Sequence, residues 1–166
     1  MTVTNSKAID WSLWFYWIMA TTLGWLIGNV FFQGIPIVIS GVAIAAMQSF
    51  VLFKRIPKAW RWIVLSSIGW VGGYIIVILI TTDVNLLAGP VVGGTVGIAQ
   101  WLLLRNEVDW GAWWILISLI AWTTGLVIIP GFLSSGALPG ALTGLALVIL
   151  FRFSPIRGKN GLADRQ

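Results

Sequence analysis

The sequence predicts an all-α integral membrane protein of six transmembrane helices, built as three repeated helical hairpins with both termini cytoplasmic. Three observations lead there. Apolar residues make up 58% of the 166-residue chain and charged residues only 9%, whereas a soluble domain covers its surface with roughly one quarter charged residues. The apolar residues gather in six runs free of Asp, Glu, Lys and Arg. All ten basic residues fall at the termini and in alternate connections between those runs.

The runs cover 11–32, 35–53, 63–80, 86–104, 110–129 and 133–151, each 18 to 22 residues long. About 20 residues at 1.5 Å per residue are needed to cross a hydrocarbon core of about 30 Å. One charge at mid-helix would cost about 2.5–3.5 kcal/mol, against a few tenths gained per Leu or Ile. An outer-membrane barrel would instead show alternating segments of about ten residues.

Lys7 precedes the first run. Lys54, Arg55, Lys58 and Arg61 lie between the second and third, Arg105 between the fourth and fifth, and Arg152, Arg157, Lys159 and Arg165 follow the sixth. The connections around Gln33-Gly34, from Thr81 to Asn85, and at Pro130-Gly131 contain no basic residue. By the positive-inside rule the basic loops and both termini are cytoplasmic. The formal charge of +5 is spread over four juxtamembrane segments rather than one face, so no nucleic-acid partner is expected. Its expected partner is anionic lipid, at about 1 kcal/mol per basic residue near the surface. The first run is too long for a signal-peptide core, and Phe31-Phe32-Gln33 offers no small-residue cleavage site.

The odd runs repeat one pattern: Trp17, Thr21, Trp25 and Gly28; Trp62, Ser66, Trp70 and Gly73; Trp114, Ser118, Trp122 and Gly125. Steps of four, four and three place each set on one helical stripe. The even runs carry Gly41, Ala45 and Gln48; Gly93, Gly97 and Gln100; and Gly140 and Gly144 with Leu147 where Gln would fall. Gly89 and Gly136 extend two of these ladders, and Pro36, Pro90 and Pro139 sit near the outer ends. The unit is a hairpin, repeated at about 11–55, 56–106 and 107–153 in a single membrane domain (1–166), with a short basic cytoplasmic tail at 154–166. The sequence leaves open whether the three hairpins close into a ring.

Lipid tails are as apolar as Leu, so membrane helices associate through close packing and interhelical hydrogen bonds. Gly41, Gly89, Gly93, Gly97, Gly136, Gly140 and Gly144 are therefore assigned to helix packing. Gln48, Gln100, Trp25, Trp70 and Trp122 are the candidates for a ligand or a helix–helix polar contact. Either they line a cleft for a flat or long apolar ligand such as a pigment, quinone or lipid, or the glutamines accept hydrogen bonds from buried indoles in a packed seam. Packing is favoured, because glycine ladders occur in membrane helices of every function. Trp11, Trp14, Trp60, Trp110 and Trp113 suit interface anchors, and Asn29, Gln33, Asp83 and Asn85 form a candidate outer mouth.

The chain has no His and no Cys, which removes the usual metal sites, thiol chemistry and His-based triads. Its five carboxylates, Asp10, Asp83, Glu107, Asp109 and Asp164, all lie outside the apolar runs, unlike the intramembrane acids of ion-coupled transporters. Gly89 to Gly97 lacks the Lys-Ser/Thr ending of a phosphate-binding loop. No catalytic residue, metal or cofactor is expected, and a bound lipid or pigment is the remaining ligand class.

Residues 93–122, GGTVGIAQWLLLRNEVDWGAWWILISLIAW, resemble a motif of uncharacterised small polytopic membrane proteins from photosynthetic and related bacteria. There a Gly-rich helix ends in Gln-Trp-Leu-x-Leu-Arg and a Trp-Trp pair opens the next. Gln48 and Arg55 form a weaker copy, and the sixth run matches poorly. The resemblance implies no activity; it implies a bacterial inner (cytoplasmic) membrane, with a photosynthetic internal membrane as the alternative location. Mitochondrial-type carriers also have three two-helix repeats, but their Pro-x-Asp/Glu-x-x-Lys/Arg signature is missing from all three odd runs. The expected function is non-enzymatic binding, as an accessory or assembly subunit of a membrane complex, with another membrane protein or a second copy as partner. The alternative is a small transporter or a substrate-, lipid- or pigment-binding component.

Overall fold

A computed structural model of the chain describes residues 9–31, 36–81 and 84–153, the side chains of 36, 37, 84 and 85 excepted. The described residues are all-helical, without strands: α1 (Trp11–Phe31), α2 (Pro36–Leu52), α3 (Trp60–Ile80), α4 (Val84–Leu104), α5 (Trp113–Thr123) and α6 (Ser134–Phe153). A π-helical turn, Thr124–Ile128, continues α5. Three of these helices, α3, α4 and α6, are long and apolar enough to cross a membrane. α1 is as long as α3, and α2 has 17 residues and α5 eleven.

The helix ends depart from the apolar runs where a charge can reach water. α3 begins at Trp60 and takes Arg61 into its first turn, with the guanidinium 5.9 Å from the Trp60 ring centroid. α6 runs through Arg152 to Phe153, where a cation favours the carbonyl end of a helix. α5 starts later than its run, because residues 109–112 form turns. Pro90 and Pro139 lie inside α4 and α6, within the first two turns.

Each helix packs against its neighbours in sequence, and α6 packs against α1. The three hairpins therefore close into a ring, and no pair of helices meets across it among the described residues. Gly89, Gly93 and Gly97 of α4 face Thr123, Leu119 and Ile115 of α5, and Gly136, Gly140 and Gly144 of α6 face Thr22, Ile18 and Trp14 of α1. One number rises by four as the other falls by four, so these helices are antiparallel; Gly89, Gly93 and Gly97 meet the α5 backbone, Gly136 and Gly140 the α1 backbone, and Gly144 the Trp14 and Trp17 side chains.

Two small-residue surfaces divide the packing. Within hairpins, the glycines of the odd helices meet their own partner: Gly24 against Ile44, Gly73 against Val92, and Gly125 against Pro139. Between hairpins, the ladder of each even helix meets the odd helix that follows, and the last ladder meets the first helix. A Cβ on Gly93 would lie 2.9 Å from the Ser118 carbonyl oxygen and the Trp122 Cβ. One on Gly97 would lie 3.0 Å from the Ile115 Cα, and one on Gly41 would overlap the Trp70 ring. A side chain at Gly93 or Gly97 would press on the α5 backbone and one at Gly41 on the Trp70 ring, and this close approach is a source of dispersion energy between membrane helices.

Candidate functional site: the tryptophan core and the grooves around it

Because the helices touch only around the ring, side chains alone fill its centre. Trp17, Trp62 and Trp114, one from each hairpin, are at most 1% exposed. Their rings meet pairwise edge to face, with centroids 5.6, 6.2 and 5.9 Å apart. Three edge-to-face contacts let each ring set its positive edge against a neighbour's negative face. The triangle closes the axis at this level.

A buried indole N–H needs an acceptor, and the even helices supply one. Trp62 Nε1 donates to Gln48 Oε1 at 3.0 Å, and Gln48 Nε2 donates to Thr21 Oγ1 at 2.9 Å. The next hairpin repeats this: Trp114 Nε1 donates to Gln100 Oε1 at 2.8 Å, and Gln100 Nε2 to Ser66 Oγ at 2.9 Å. An indole only donates, so it must meet the amide oxygen, which turns the amide nitrogen toward the hydroxyl. Each glutamine thus ties its own hairpin to the next.

The third copy breaks the pattern. Leu147 stands in place of Gln, and Trp17 Nε1 instead donates to Thr143 Oγ1 at 3.0 Å, one turn away on α6. Ser118, the counterpart of Thr21 and Ser66, is left with a buried Oγ that has no hydrogen-bond partner. The odd residue of the repeat and the orphaned hydroxyl are one feature.

Trp25, Trp70 and Trp122 form a second layer. Trp70 and Trp122 meet edge to face at 4.7 Å, and Trp25 joins them in a cluster with Ile44, Val92 and Val96. All three are buried, but their indoles make no hydrogen bond among the described residues. The polar contacts considered for this layer belong to Trp17, Trp62 and Trp114, because Gln48 and Gln100 lie level with the first layer. The repeat pattern contained both layers, and only the distance to the glutamines separates them. Of the candidate outer mouth, Asn29 is turned inward, donating to the Trp25 carbonyl at 2.9 Å and to Ser40 Oγ at 3.2 Å. Gln33, Asp83 and the Asn85 side chain lie outside the described residues.

The one ion pair among the described residues, missed in the sequence, joins the start of α1 to the α2–α3 connection: Arg55 Nη2 to Asp10 Oδ2 at 2.6 Å. Asp10 also caps α1, accepting from the Leu13 N–H at 3.0 Å and from Ser12 Oγ at 2.6 Å. The Ser12 hydroxyl and the Leu13 amide, joined by Arg55, hold its carboxyl at about 2, below the ordinary 3.8. Asp followed by Trp-Ser was a readable N-cap signal; the partner 45 residues on was not.

Three open spaces among the described residues lie on the outer wall. At the basic end of α2, a groove of about 760 Å³ runs between α1 and α2, and one of about 500 Å³ between α2 and α3. A third, about 420 Å³ and almost wholly apolar, lies between α5 and α6 beside Trp110 and Trp113. No group of three or more metal-ligating side chains occurs among the described residues. No family model matches the chain, and no curated protein or solved structure matches it.

Proposed function

We propose that this is a six-span protein of a bacterial inner membrane, with the basic end and both termini in the cytoplasm, that acts by binding as an accessory or assembly subunit of a membrane complex. The observation that carries this reading is the tryptophan-filled axis among the described residues. Two layers of buried tryptophan occupy the axis, and the candidate ligand residues Gln48 and Gln100 spend their hydrogen bonds on neighbouring helices. What remains for recognition is the outer wall, where large apolar side chains are exposed on every helix. The same packing speaks against a transport pathway along the axis.

Purification in mild detergent tests the reading. A stoichiometric membrane-protein partner supports it; a chain that purifies alone with a small molecule bound moves the assignment to the ligand-binding alternative, and an absorption spectrum would reveal a pigment. Cysteine labelling at position 58 from the cytoplasmic side, and not from outside, is the expected topology. External labelling there would end the six-span orientation.

A further inference from the structure

The geometry points to a binding site for one anionic phospholipid at the basic end of α2, its two acyl chains lying in the grooves on either side of a Phe50–Phe53 ridge and its phosphate held by Lys54, Arg55 and Lys58. Phe50 and Phe53 line both grooves and are 85% and 75% exposed, so the ridge divides two adjoining apolar channels. Tyr16 and Val51 wall the first channel, and Trp60 and Ile63 the second. Both channels end in cations: Lys54 and Arg55 in the first, Lys58 in the second. Apolar length below and positive charge above is the complement of an anionic two-chain lipid, and exposed Tyr16 and Trp60 suit the depth at which head groups begin.

The cations are poised for this. Arg55 is anchored by Asp10 on one side, which orients a guanidinium that still has N–H groups to give. The side chains of Lys54 and Lys58 have no hydrogen bond or ion pair among the described residues. Lys58 is also the only non-glycine residue with positive φ among them, at 59°. Gly or Asn would take that conformation at less cost, and strain of this kind persists where a side chain is wanted at that point. Lys58 lines the second groove from that position.

The inference rests on the proposed orientation of α2, with Lys54 at the membrane surface. The test adds phosphatidylglycerol or phosphatidylcholine of matched chains to detergent-purified protein and reads retained lipid by native mass spectrometry. Wild type should retain phosphatidylglycerol preferentially, and Lys54→Gln and Lys58→Gly should each weaken retention about fivefold. Glycine suits the positive φ at position 58, and a parallel unfolding curve separates lost lipid from lost fold. Arg105→Gln, at the same end but outside both grooves, should retain lipid as wild type does. Equal retention of the two lipids, unchanged retention in both lysine variants, or an equal loss in Arg105→Gln would overturn the site, the last showing only diffuse attraction. A protein crosslinked at position 53 in place of lipid would overturn it too. Cytoplasmic labelling at position 58 without phosphatidylglycerol preference removes the lipid site alone, whereas external labelling removes the orientation.

Discussion

Ser66→Ala and Ser118→Ala delete the same hydroxyl at equivalent positions of the repeat, yet the structure assigns them different outcomes. Ser66 Oγ accepts from Gln100 Nε2 at 2.9 Å, and Gln100 is only 4% exposed, so its removal strands a buried donor. Such a donor costs about 1–3 kcal/mol, while polar pairs between membrane helices average about 0.6 and reach about 1.7 kcal/mol. The two ranges overlap at about 1–1.7 kcal/mol, the destabilisation expected for Ser66→Ala. Ser118 Oγ is buried without a partner, so Ser118→Ala removes a group that was desolvated for no return, and should fall within about 0.5 kcal/mol of wild type or be more stable. Unfolding by SDS titration in mixed micelles measures both. Leu147→Gln adds a third arm: it restores the missing amide, and its effect should be more favourable with Ser118 present than with Ala, by about 0.6–1.7 kcal/mol. An equal cost for the two serine variants, or no coupling between positions 118 and 147, would refute the equivalence of the three hairpins at this layer.

Trp62→Phe should cost about 1 kcal/mol more than Trp70→Phe in the same assay, since it alone deprives a buried glutamine of its donor; equal losses would mean that packing dominates both layers. Gly97→Leu should destabilise by about 1–3 kcal/mol or more, because the added side chain meets the α5 backbone. Gly72→Leu, where nothing lies within 4 Å, should be tolerated; unfolding midpoints that rank the pair the other way would displace the ladder from the seam. Asp10 is held at about 2 when folded, below its ordinary 3.8, so the stability it contributes is present above about pH 4 and lost as pH falls toward about 2. Asp10→Asn should flatten that part of the pH–stability curve, and an unchanged curve would remove the cap and ion pair as its cause.

Much of the architecture was readable because it is written locally. The lengths of the apolar runs placed the helices to within a few residues; among the ends that moved are those at Arg61, Arg152 and residues 109–112, and the start of α4 at Val84. The stripe of Trp17, Thr21, Trp25 and Gly28 and its copies marked the odd helices, and the glycine ladders the even ones, since both repeat at helical spacing.

What the repeat could not say is which face meets which. A ladder at every fourth residue fits any neighbour, and only the sum of contacts around the ring decides that Gly136, Gly140 and Gly144 close onto α1, more than a hundred residues away in sequence. Nor does spacing choose between two layers of tryptophan. Depth along the helix sets Gln48 and Gln100 beside Trp62 and Trp114 rather than beside Trp70 and Trp122. Leu147 was visible in the sequence as an irregular letter; that it leaves Ser118 without a partner depends on two helices meeting, and therefore on the tertiary structure alone.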